Sequence, residues 1–161
     1  MPTVSFTAPF LSQTTEPDRG NWTDLTGRIR TFLISSSWAT TRTATMRGVY
    51  TFPFMVTINS VSTVFTGRLE NTGSPDPSVS MFFNGASYGP PYTATGVEVL
   101  IGPETYLDVS YVLTENIITV DATVRAQRLS AYGPGTLYID DPVITVDYSE
   151  RPAFCNLGIN F

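Results

Sequence analysis

An all-β chain is predicted, folded as an antiparallel β-sandwich of jelly-roll type with about eight to ten strands. Three observations predict it. Ile118, Val120, Ala122, Val124 and Ala126 alternate with Thr119, Asp121, Thr123, Arg125 and Gln127, the period of a half-buried strand, and similar runs recur along the chain. Turn formers such as Tyr132-Gly133-Pro134-Gly135 punctuate those runs. No segment sustains a helical period.

Taken in order, residues 1–20 read as an N-terminal arm or loop in which Thr3 to Thr7 alternates and suits a short strand or an extended arm, and Ala8 to Gly20 is loop. Residues 21–148 read as the sandwich domain, and 149–161 as a C-terminal tail. Arg28 to Ser35 suits a strand with apolar contacts on both faces. Ser36 to Met46, with Trp38 and Arg42, reads as a loop or edge strand. In Arg47 to Glu70, Tyr50, Phe52, Phe54, Val56 and Ile58 share one face, and the inward set resumes out of phase at Val61, Thr63 and Phe65. That slip predicts two strands joined near Asn59-Ser60, with Pro53 at an edge or bulge because it lacks an amide hydrogen. Asn71 to Pro77 is a loop, and Ser78 to Asn84 a short strand. Val97, Val99 and Ile101 mark the next strand, and Leu107, Val109, Tyr111 and Leu113 the one after. The alternating run that follows and Thr136 to Tyr148 predict a hairpin turning at Gly133-Pro134. Tyr50, Phe52, Phe54, Val56, Ile58, Val120, Ala122 and Val124 are the expected core.

A chain of 161 residues is one domain in length and buries roughly 70% of its unfolded surface without a metal or disulfide. The single cysteine, Cys155, forms no intramolecular disulfide. Without a signal-like leader or long apolar run, cytoplasmic synthesis and no membrane association are expected. The net charge of −5, and nine basic residues that are all scattered Arg, argue against nucleic acid. Charged residues are only 14% of the chain, against about 25% in an average protein, which suggests a neutral surface and a homo-oligomer or assembly component.

Absence of histidine removes His-dependent nucleophilic triads and the usual zinc sites. Cys155 reads as a small buried hydrophobe. A glycosidase needs only two carboxylates, but acids such as Asp108 and Asp121 fall on polar strand faces where solvated charge is the plain reading. Asp140 and Asp141 are adjacent on a strand and point to opposite faces, so one needs calcium, an Arg partner or a bulge that turns it to water. Tyr88, Tyr92 and Tyr132, in or beside Gly-Pro turns, are candidates for stacking on a sugar or anchoring a partner, whereas Trp22 and Trp38 read as packing under loops. Phe154, Leu157, Ile159 and Phe161 make the tail apolar enough to need cover, expected from a neighbouring chain.

The segment Gly135-Thr-Leu-Tyr-Ile-Asp-Asp-Pro-Val-Ile-Thr-Val-Asp147 resembles the closing strand of carbohydrate-binding-module-like β-jelly rolls. The resemblance implies a structural calcium at Asp140 and Asp141 and no catalysis. In overall character, a small Ser/Thr-rich β-protein without Lys, His or catalytic motif also resembles the capsid decoration, or cement, proteins of tailed bacteriophages. That resemblance implies a non-enzymatic virion component, made in the host cytoplasm, that bridges subunits of the major capsid protein. The two resemblances define a leading expectation, capsid decoration, and an alternative, a glycan-binding jelly roll on a phage fibre; a glycosidase is third.

Overall fold

The computed structural model describes residues 1–15, 22–33, 41–87, 90–128 and 132–151. Among them every regular element is a strand: β1 (Thr3–Thr7), β2 (Phe10–Thr15), β3 (Thr23–Leu25), β4 (Arg28–Leu33), β5 (Thr41–Thr51), β6 (Val56–Asn71) and β7 (Ser78–Phe83). There follow β8 (Ala86–Ser87), β9 (Tyr92–Thr93), β10 (Glu98–Tyr106), β11 (Tyr111–Thr114), β12 (Ile117–Arg128), β13 (Gly135–Asp140) and β14 (Val143–Glu150). They form two antiparallel sheets packed as a sandwich, as the alternating runs predict. One sheet runs β1-β14-β6-β13-β4-β3 with β10 on β6; the other runs β2-β5-β12-β7-β8 with β11 on β12 and β9 on β7.

Three expectations are corrected. The hairpin does not form, because β12 belongs to one sheet and β13 and β14 to the other. The turn between them crosses the sandwich, since each strand's apolar face must look at the core from its own side. Residues 10–15, expected as loop, pair as an edge strand with β5, while Thr3 to Thr7 takes the strand reading and pairs with β14. No turn interrupts the chain at Asn59-Ser60: Ser60 faces Asp147 and Ile58 faces Tyr148, so Asn59 is an extra residue in β6. That bulge shifts the inward phase from Val56 to Val61 and Phe65 without breaking the strand. The connection lies earlier, at Phe52 to Met55, where Pro53 sits outside both strands.

Of the expected core, Phe52, Val56, Val120, Ala122 and Val124 are buried, Tyr50 and Ile58 pack half-buried against them, and Phe54 is 36% exposed. Phe54 lies in that connection, where the strand alternation that would turn it inward has ended, whereas Phe52 at its start still packs inward. Phe6, Tyr50, Phe52, Tyr148 and Phe54 form a continuous row of rings at 4.8–6.3 Å that joins the two sheets near β1. Arg42 is also buried, and its guanidinium donates to the Thr31 hydroxyl and the Phe32 carbonyl, bridging β5 to β4.

Candidate functional site

One edge of β12 is shared by two short strands. β11 pairs with Ile117 to Val120 and β7 with Val124 to Arg128, so on this edge the intervening residues have no strand beside them, while β5 pairs with them on the other. Asn84, which opens the β7–β8 turn at φ 48°, closes part of this gap. Its amide donates to the Thr123 carbonyl at 2.9 Å, its Oδ1 accepts from the Thr123 amide at 3.0 Å, and its Nδ2 donates to the hydroxyl of buried Thr63 at 2.9 Å. Asn and Gly accept the left-handed backbone this turn requires, so Asn84-Gly85 suits the position.

The rest of the gap is straddled by the loop from Leu107 to Ser110, which carries the chain from β10 to β11. Sequence alternation predicts a strand here. Instead Asp108 takes φ 54°, reversing the backbone, while the Val109 amide donates to the Val61 carbonyl at 3.0 Å and its side chain is buried. Two open clefts flank the loop. One, of about 350 Å³, is lined by Asn84, Tyr106, Asp108, Ser110, Asp121 and Thr123 among others; its neighbour, of about 360 Å³, by Asn59, Ser60, Asp108, Ser110 and Tyr111 among others. Phe65, Phe83 and Tyr106 pack at 4.7–5.8 Å, so an aromatic cluster backs the first cleft.

Asp121 is held from the opposite strand. Arg47 faces it in register and donates from Nε and a terminal nitrogen at 2.7 and 2.8 Å. The hydrogen bond and charge of Arg47 hold the Asp121 carboxyl below the usual carboxylate range, against a smaller opposing effect of burial. An acid kept ionised in this way accepts hydrogen bonds and is a poor proton donor.

The residues nominated from sequence are dispersed. Tyr88 and the tail residues Phe154, Leu157, Ile159 and Phe161 lie outside the described residues, as do Cys155 and Trp38. Tyr92 is half-buried in β9 and its hydroxyl donates to the carboxylate of buried Glu104 at 2.5 Å. Tyr132 is 38% exposed beside Gly133, whose amide donates to the Asp76 carbonyl. Neither tyrosine lines the clefts around Asp108. Trp22 is buried, and its amide and carbonyl are clasped by the Gln13 side chain.

Asp140 and Asp141 stand where β13 gives way to β14. Asp140 faces Arg28 across the ladder at 3.4 Å and accepts from the Thr66 hydroxyl at 3.2 Å. Asp141 lies one residue beyond the strand; partial burial, then the charges of Asp24 and Asp140, push its carboxyl up. Asp140 thus has the Arg partner, and among the described residues no group of three or more His, Cys, Asp or Glu is placed to hold a metal.

No family model and no curated protein matches the chain. Among solved structures it is similar to a family 35 carbohydrate-binding module from Clostridium thermocellum, at 13% identity and a TM-score of 0.31 over 90% of this chain and 98% of that one. It is also similar to the Podospora anserina GH26-CBM35 β-(1,4)-mannanase, at 13% identity and a TM-score of 0.32 over 94% of this chain and 28% of that longer one. Likeness at this level carries no residue correspondence.

Proposed function

We propose that this protein is a non-catalytic binding module that takes a neutral carbohydrate in the clefts around Asp108. The observation that carries the proposal is the lining of the two clefts, a trough divided by the Asp108–Ser110 loop: Asp108 and Ser110 serve both sides, the Asp121 carboxylate, the Thr123 hydroxyl and the Tyr106 ring line one, and the Tyr111 ring lines the other, on walls tied down by Asn84 and Val109. Sugar hydroxyls donate to carboxylates, and apolar sugar faces lie on aromatic rings. A trough whose charged lining residues are carboxylates favours neutral sugars over uronates, phosphates or sulfates. The Arg47–Asp121 pair also favours binding over glycoside hydrolysis, which needs a carboxyl that can give up a proton. Capsid decoration has no observation of its own and is set aside.

Titration calorimetry against neutral polysaccharides, with acidic ones as controls, tests the proposal. Binding to at least one neutral polymer is expected, and Tyr111→Ala should weaken it by about tenfold or more, a loss of roughly 1.4 kcal/mol. Asp108→Ala should weaken it comparably. Binding restricted to acidic polymers, or indifferent to both substitutions, would sink the proposal.

A further inference from the structure

We infer that a second copy of this chain pairs along the free edge of β1, joining the two β14-containing sheets across a two-fold axis at Ser5. β1 pairs only with β14 among the described residues. The Ala8 amide donates to the Pro142 carbonyl, and the Pro2 carbonyl accepts from Tyr148. In an antiparallel ladder backbone groups alternate in direction, so those of Val4 and Phe6 point to β14 with Pro2 and Ala8, whereas those of Thr3, Ser5 and Thr7 point outward.

Edges are ordinarily blunted by charge, proline, bulges or shortness. The other edges of this sandwich are blunted. β10 carries Glu98 and Glu104 and a bulge at Gly102-Pro103; β2 has an extra residue at Leu11; β3 is three residues long and holds Asp24; β11 has four residues. β1 is uncharged, regular and without a bulge. It also matches itself. Antiparallel pairing about Ser5 places Thr3 opposite Thr7 of the other copy, Ser5 opposite Ser5, and Val4 opposite Phe6. Hydroxyl pairs and β-branched–aromatic pairs are favourable cross-strand neighbours. Val4 and Phe6 are half-buried in the isolated chain, and Phe6 is fixed by stacking on Tyr50 at 5.6 Å, so the inner side of the edge is already ordered. The operation is closed and isologous, which ends assembly at a dimer.

Sedimentation velocity on the full chain across a micromolar concentration series, with circular dichroism on every variant, is the test. The wild type should show a reversible monomer–dimer equilibrium that tightens with salt, because each chain carries a net charge of −5. Ser5→Pro removes an outward amide and the exposed Ser5–Thr145 hydroxyl pair while leaving the β1–β14 backbone bonds, and should weaken the dimer by about tenfold or more with the β-signal kept. Should that variant fail to fold, Ser5→Lys serves instead: Ser5 is exposed, so the variant folds, and like charges meeting at the axis weaken the dimer most at low salt. A wild type monomeric at every concentration overturns the inference, and so does a dimer that a folded Ser5 variant leaves intact.

Discussion

Two interruptions of strand pairing bring carboxylates to the surface, and they treat them oppositely. At the split edge of β12, Asp121 sits inside a ladder with Arg47 directly opposite, and its carboxyl is held below the usual range. At the β13–β14 junction, Asp140 still has a ladder position and faces Arg28, but Asp141 falls one residue past the strand and is pushed up by burial and by Asp24 and Asp140. A single residue separates the two outcomes. The difference teaches that register supplies the counter-charge at these two positions: Asp121 and Asp140 each meet an arginine across the ladder, and Asp141, one residue beyond it, is left beside other carboxylates.

The heaviest blow to the cleft side of this comparison is Asn84→Ala. It leaves the buried Thr63 hydroxyl and the Thr123 amide without their partner and puts alanine at φ 48°, so unfolding in urea should show a loss of about 2 to 4 kcal/mol. A loss under about 0.5 kcal/mol would mean that the gap in β12 is closed by something else. Asn84→Asp keeps an acceptor for Thr123 and should be milder.

The junction responds in the other direction. Because the folded-state pKa of Asp141 lies above its unfolded value, its penalty is full at pH above the folded pKa and is relieved as pH falls through that pKa toward the unfolded one. Asp141→Asn should therefore stabilise the protein at neutral pH and lose the advantage in acid. Solvent screens a half-exposed charge, so the gain should stay below about 1 kcal/mol. Thermal melts of both proteins at pH 7 and pH 3 measure it. Destabilisation at neutral pH would show that a cation holds the carboxylate there.

The smallest effect belongs to Asp121→Asn. The lowered pKa of Asp121 contributes stability that is present above its unfolded pKa and lost as pH falls through the folded one, and the pair is exposed. The variant should match the wild type in acid and fall slightly below it at neutral pH. Equal melts at both pH values would make the bidentate geometry energetically silent.

Much of the sandwich is legible because period-two alternation is a local property. The phase slip after Ile58 is visible in the sequence, but a turn and a bulge produce the same slip, and only the pairing of Ser60 with Asp147 separates them. Which sheet a strand joins is not local either, so two alternating runs joined by Gly133-Pro134 pass for a hairpin. The cleft was hidden twice over. Its residues come from segments near 59, 84, 108 and 121, and Leu107, Val109 and Tyr111 imitate a strand through a stretch that Asp108 reverses. Asn84-Gly85 was the one local signal, a turn pair able to accept positive φ. Tyr88, Tyr92 and Tyr132 stand near Gly and Pro, which mark loops without saying which loops converge.

The pairing of β1 with β14 also sets a schedule for synthesis. Its partners are separated by nearly the whole chain, so closure of that sheet waits until Glu150 has left the ribosome, on the order of ten seconds after Thr7 at about 5–20 residues per second. Phe6 can meet Tyr50 long before then. Until then both backbone edges of β1 are open, which exposes the nascent chain to strand capture in that interval.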